Sequence, residues 1–239
     1  MSEKINMWSG PRNISTALMY SFAQRTDTLV VDEPLYAFYL HTTGLQHPGC
    51  EEVLKSQSTD GNQVVDQILH PASDKPYVIF KQMSHHLLHL DLSFLLSCKN
   101  FLLLRHPARV INSYIKNIAN VSEDDLGFNS LVKIFDYLKE NKQPLITIDS
   151  DTLIKNPEQA LTILCNKLQI PFDKNMLHWK AGTRPEDGVW AKHWYENVHQ
   201  STGLHYAETP IPKLEKKYVP LLEKCLHDYY LLKSNAIEI

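Results

Sequence analysis

The chain has 239 residues, enough to bury a substantial core in one unit, so residues 1–239 are read as a single domain. Its 43% hydrophobic and 21% charged residues, with only 8 glycines, exclude disordered and fibrous classes. A net charge of −3 provides no broad basic surface for nucleic acid or an anionic membrane, so an anionic ligand must be held by a few local residues.

Lys4–Trp8 reads as a short first strand, Ser9–Arg12 breaks it with Gly10 and Pro11, and Ile14–Arg25 resumes as an amphipathic helix. Apolar runs of strand length recur at Thr28–Val31, Tyr77–Lys81, Phe101–Leu104 and Pro144–Ile148. Between them, helical spacing is expected over Gly49–Ser56, Gln63–Leu69, Leu87–Leu96, Ala108–Ile118, Asn129–Glu140 and Pro157–Leu168. Trp179–Thr202 is aromatic-rich and punctuated by Gly and Pro, and Lys213–Leu232 returns to helical spacing with Pro220 as an expected interruption. The alternation predicts an α/β fold with a central, mainly parallel sheet flanked by helices, and ligands at the carboxyl ends of the strands.

Met1–Gly10 has no basic run followed by an apolar stretch, and no window approaches the roughly 18 apolar residues of a membrane span, so a cytoplasmic location is expected. Cys50, Cys98, Cys165 and Cys225 are scattered without ligand spacing and read as reduced structural thiols. His85, His86 and His89 lack the helical, carboxylate-backed pattern of a zinc site, so no metal is expected.

The first strand, turn and helix form a candidate anion site. A helix start presents free backbone N–H groups and the positive end of the helix dipole, to which Arg12 adds a guanidinium and Ser15 and Thr16 add hydroxyls. An ordinary capped helix would carry similar residues, so the turn alone leaves both readings open. It is not a GxxxxGK[ST] loop, because Arg12 stands where that loop has lysine. Asp149 or Asp151, after the Pro144–Ile148 strand, keeps a small-molecule kinase using ATP and Mg²⁺ open as an alternative.

A second anchor follows Phe101–Leu104: Arg105 at the strand end, Pro107 two residues on, and Ser113 and Tyr114 eight and nine residues on. In this spacing the chain resembles the sulfotransferase family, with its three-layer, P-loop-like α/β fold. The resemblance implies that Arg105 and Ser113 hold the 3′-phosphate of 3′-phosphoadenylyl sulfate (PAPS). It implies that Arg12, Asn13, Ile14, Ser15 and Thr16 hold the 5′-phosphosulfate, with Arg12 in place of the usual lysine. Asp149–Leu161 and Gly188–Trp194 resemble later family segments, and Arg184 matches a nucleotide-binding arginine with a one-residue shift. WSGPRN, DEPLY and DGVWA-HWY segments resemble a subgroup sometimes labelled aminotransferase-like, although no lysine here has a pyridoxal context.

Sulfuryl transfer needs a base for the acceptor proton and donors for charge on the leaving phosphate. Glu33, at the end of the second strand, is similar in place to the base of some bacterial members, with His86 or His85 as rivals. Lys81 is similar to the family's strand-end lysine, which would neutralise the sulfuryl group or bridging oxygen. Trp8, Tyr36, Tyr39, Trp190 and Trp194 are available to stack on adenine or to line an acceptor pocket. The resulting expectation is a metal-free enzyme that moves a sulfuryl group from PAPS to a hydroxyl or amine of a small acceptor, releasing adenosine 3′,5′-bisphosphate. A non-catalytic binder of that bisphosphate is the other alternative. Acceptor identity and oligomeric state have no readable code.

Overall fold

Five parallel strands form the middle layer of the computed structural model, which describes residues 2–116, 118, 120–205 and 209–239. They are β1 (Glu3–Ser9), β2 (Thr28–Asp32), β3 (Tyr77–Met83), β4 (Lys99–Leu104) and β5 (Thr147–Asp149), in the spatial order β2-β3-β1-β4-β5. Each expected apolar run supplies a strand, although the last begins at Thr147 rather than Pro144.

The helices in chain order are α1 (Ser15–Phe22), α2 (Tyr36–Thr43), α3 (Cys50–Ser56), α4 (Gly61–Leu69), α5 (Pro107–Tyr114) and α6 (Glu123–Leu126). They continue with α7 (Phe128–Glu140), α8 (Ser150–Lys155), α9 (Pro157–Lys167), α10 (Ala191–Trp194), α11 (Glu196–His199) and α12 (Val219–Lys233). The period-two alternation of the strands divides the core in two. Ile5 and Met7 of β1 with Phe101 and Leu103 of β4 pack against α1 and α9. Trp8, Leu102 and Leu104 pack on the other face, against α5, α7 and α12. This is the three-layer α/β architecture expected from the alternation of elements.

Because β1 and β4 are neighbours whose following helices lie on opposite faces, their turns diverge and leave a crevice at the strand ends. A third apolar cluster packs α2 and α3 against Trp190, Ala191 and Tyr195 of the late aromatic segment. That segment is thereby held beside the crevice.

The structure differs from the expected elements at four places. Leu87–Leu96 is not a helix: His89 is left-handed (φ 54°), and the Asp91 carboxylate accepts from Ser93 N–H at 2.9 Å to start a 3₁₀ turn over Leu92–Ser97. Pro220 does not interrupt a helix but sits in the first turn of α12, where its missing N–H leaves no bond unmade. Helix α2, which follows Pro34, was not expected. The expected helix Ala108–Ile118 ends at Tyr114, and its residue 117 lies outside the described residues. Among the described residues no helix is long and apolar enough to cross a membrane. All four cysteines are free, and Cys98 is less buried than the other three.

Candidate functional site

The turn after β1 is held in an unusual backbone shape. A Cβ on Gly10 would lie 2.3 Å from the Leu126 carbonyl oxygen, so only glycine allows the turn to pass this close to α6. Arg12 (φ 60°) and Ile14 (φ 56°) are both left-handed, a conformation that is rare for a β-branched residue and that concentrates at ligand-holding turns. Buried Asn13 ties the turn to the sheet, its Nδ2 donating to the Leu103 carbonyl at 3.2 Å. Its Oδ1 has no partner among the described residues. Ile14, the N-cap of α1, supplies no side-chain cap, so the first N–H groups of that helix are left for water or an anion.

Arg12 links three parts of the fold. Its Nε donates to Ser113 Oγ of α5 at 2.9 Å, and its Nη1 donates to the Trp194 carbonyl at 3.3 Å. Its own carbonyl accepts from Arg105 Nη1 at 2.7 Å. The two anchors singled out in the sequence thus touch each other. Burial lowers the pKa of both guanidinium groups from their ordinary value. Helix α5 is started by Pro107 and by His106 Nδ1, which accepts from Ala108 N–H, and this places Ser113 two turns beyond Arg105.

At the ends of β2 and β3 lies a buried ionic cluster. Lys81 is 1% exposed and its Nζ donates to Asp32 Oδ1 at 2.8 Å, Glu33 Oε1 at 2.5 Å and the Tyr195 hydroxyl at 2.8 Å. An ammonium has three N–H donors and all three are engaged. This changes the role expected of Lys81: it braces two carboxylates, and it would have to release one partner to meet a sulfuryl group. Burial disfavours its charge, but Asp32 and Glu33 outweigh that and raise its pKa. The Tyr195 hydroxyl also accepts from Trp190 Nε1 at 3.0 Å and donates to Asp32 Oδ2 at 2.7 Å.

Glu33 sits just beyond β2 with left-handed backbone (φ 40°), where its N–H still donates to the Lys81 carbonyl at 2.9 Å. Burial raises its carboxyl pKa; Lys81 opposes the shift and Asp32 adds to it. His85 and His86 are also buried. Desolvation lowers His85 to about 4 and holds His86 well below its ordinary value, so both imidazoles are neutral near pH 7. His86 stacks on Tyr36 and Tyr39, with ring centroids 5.2 Å and 4.5 Å away. The Nδ1 atoms of both histidines lack a partner among the described residues.

These groups surround one cavity of about 750 Å³, a size suited to a nucleotide with a small second ligand. Arg12 through Thr16, Arg105 and Ser113 line it on the side of β1 and β4; Glu33, Lys81, His85 and His86 line it on the side of β2 and β3. Trp190 and Trp194 come from the late segment, whereas Trp8 is core. Arg184 is not brought to this cavity: it pairs with Glu186 at 3.4 Å and lies over the Tyr20 ring. Asp32, His47 and Tyr195 were not singled out in the sequence as site residues, although Tyr195 stands in the HWY segment and Asp32 adjoins Glu33.

Asp149 is spent on structure, accepting from Tyr229 Oη at 2.7 Å and from Asp151 N–H at 2.9 Å. No group of three or more candidate metal ligands occurs among the described residues.

The profile described as a sulfotransferase domain matches residues 3–236. The chain belongs to the sulfotransferase domain family. Among curated proteins, this sulfotransferase domain is 42% identical over 235 residues to branched-chain-amino-acid aminotransferase-like protein 1 of Arabidopsis thaliana. It is 41% identical over 234 residues to protein 2 of the same name and plant. Each match covers 98% of this chain, which spans only 42% of the length of either relative.

Solved structures with the same fold include the sulfotransferase domain of the Synechococcus PCC 7002 olefin synthase, with TM-score 0.59 and 18% identity over 94% of this chain and 95% of that one. The sulfotransferase domain from the curacin biosynthetic pathway has TM-score 0.60 and 15% identity, with 98% of both chains covered.

Proposed function

We propose that this sulfotransferase domain binds PAPS and moves its sulfuryl group to the hydroxyl or amine of a small acceptor. The observation that carries the reading is the direct contact of the two expected phosphate anchors, Arg12 Nε on Ser113 Oγ and Arg105 Nη1 on the Arg12 carbonyl, at one cavity wall. An uncapped helix start, two guanidinium groups and a serine hydroxyl fit a ligand with two separate phosphates.

In this reading Arg105 and Ser113 hold the 3′-phosphate, while Arg12 and the N–H groups of residues 14–16 hold the 5′-phosphate. Glu33 takes the acceptor proton as the acceptor oxygen or nitrogen bonds to sulfur. The bond from sulfur to the phosphate oxygen breaks, and Arg12 with the helix start stabilises the charge left on that oxygen. Glu33 is preferred over His86 because Lys81 fixes one of its oxygens while the side chain borders the cavity. Lys81 orients the carboxylate. Of the two aspartates on which a kinase reading would draw, Asp149 has its oxygens bonded to Tyr229 and Asp151 N–H, and Asp151 lines the cavity with its carboxylate 3.6 Å from Arg109 Nε.

A thermal-shift panel with adenosine 3′,5′-bisphosphate, with ATP plus Mg²⁺, and without ligand tests the reading. The bisphosphate is expected to raise Tm the most. Stabilisation by ATP and not by the bisphosphate overturns it. Stabilisation by the bisphosphate without transfer from labelled PAPS to any acceptor would leave a binding module rather than an enzyme.

A further inference from the structure

The cavity is electrically two-sided. Among the described residues, Arg12, Arg105 and Arg109 border it after β1 and β4, and Lys155 and Lys233 border it from helices beside β5; Asp151, paired with Arg109 at 3.6 Å, and Asp149, 3.7 Å from Lys233, line the same end and leave the cations in the majority there. At the β2–β3 end the lining lysine is Lys81, and its three donors are committed to Asp32, Glu33 and Tyr195. Two carboxylates, Asp32 at 2.8 Å and Glu33 at 2.5 Å, share that one ammonium, so acidic groups outnumber basic ones at this end. His47, His85 and His86 do not offset it, because burial keeps each imidazole from protonating. The rest of that end is apolar and aromatic, including Tyr36, Met83 and Trp190.

We infer that the acceptor site selects a cation: an apolar or aromatic compound bearing an ammonium group. The inference rests on the donor reading above, which puts the anionic nucleotide at the arginine end and leaves the β2–β3 end to the acceptor. An ammonium there is drawn to the shared carboxylates Asp32 and Glu33. It also relieves their mutual repulsion, one of the causes that raises the Glu33 pKa. A carboxylate or sulfate on the acceptor would find no uncommitted cation at this end among the described residues, and would face Glu33. In a partly desolvated cavity such a like-charge approach costs far more than it does in water.

Three probes with one body and different charge test this: tyramine, 4-ethylphenol and 4-hydroxyphenylpropionate. Each is titrated by calorimetry into the protein saturated with adenosine 3′,5′-bisphosphate. Tyramine is expected to bind more tightly than the neutral phenol, and more tightly than the carboxylate by about tenfold or more. In Glu33→Gln, which leaves Lys81 balanced by Asp32 alone, the preference for tyramine over 4-ethylphenol is expected to vanish while bisphosphate binding persists.

Equal or tighter binding of the carboxylate overturns the inference, as does a preference that survives Glu33→Gln, or no binding of tyramine at millimolar concentration. Failure of the bisphosphate itself to bind is a separate result, which removes the donor reading first.

Discussion

The Arg12 guanidinium donates to the Ser113 hydroxyl at 2.9 Å across 101 residues of chain, joining the turn after β1 to the helix after β4. If both groups serve one ligand, their contributions to binding are coupled. Arg12→Ala and Ser113→Ala are each expected to weaken adenosine 3′,5′-bisphosphate by about tenfold, since each removes one charge-assisted contact. A double-mutant cycle by calorimetry is expected to return a coupling of at least about 0.5 kcal/mol. Strictly additive losses would separate the two residues functionally.

Gly10→Ala tests the turn without altering a polar group. The added methyl would meet the Leu126 carbonyl oxygen 2.3 Å away, a backbone atom that cannot swing aside. The expected outcome is a loss of roughly 1–3 kcal/mol in stability, together with weakened bisphosphate binding. Unchanged urea midpoints and affinity would show that the turn is looser than described.

Tyr195→Phe removes one oxygen that accepts from Lys81 and Trp190 and donates to Asp32. Every partner is buried, so the variant leaves unsatisfied donors and is expected to lose about 2–3 kcal/mol in urea unfolding at pH 7. A loss below about 1 kcal/mol would mean that water or a rearranged side chain replaces the hydroxyl.

Much of the sheet and the arginine-serine spacing could be read in advance, because apolar runs and short local motifs carry them. Arg12, Arg105 and Ser113 lie in such motifs. Leu87–Leu96 misled because its leucines have helical spacing, whereas His89 and Asp91 terminate the helix by backbone and side-chain geometry that spacing does not register. Lys81 was legible as a strand-end lysine, but its partners were not: Asp32 is 49 residues away and Tyr195 is 114. Only the fold brings them together, and it converts an apparently free cation into a buried brace. Arg184 shows the converse, since its contacts in the fold are with Glu186 and the Tyr20 ring and not with the cavity.

His85 makes stability depend on pH. Its folded pKa, about 4, lies below the ordinary value of 6.5, so the unfolded chain binds more protons between these values. Its contribution is full above pH 6.5 and is lost as pH falls through 6.5 towards 4; His86 shifts in the same direction. Between pH 7 and pH 5 the His85 share is about 2 kcal/mol. His85→Asn should flatten the pH dependence of urea unfolding by about that amount, and an unchanged slope would assign the effect elsewhere.

The most direct test of the central claim compares adenosine 3′,5′-bisphosphate with adenosine 5′-monophosphate by calorimetry, on the unaltered protein and on Arg105→Ala. The unaltered protein is expected to prefer the bisphosphate by about tenfold or more, and Arg105→Ala to lose most of this preference. Equal affinity for the two nucleotides on the unaltered protein would contradict it.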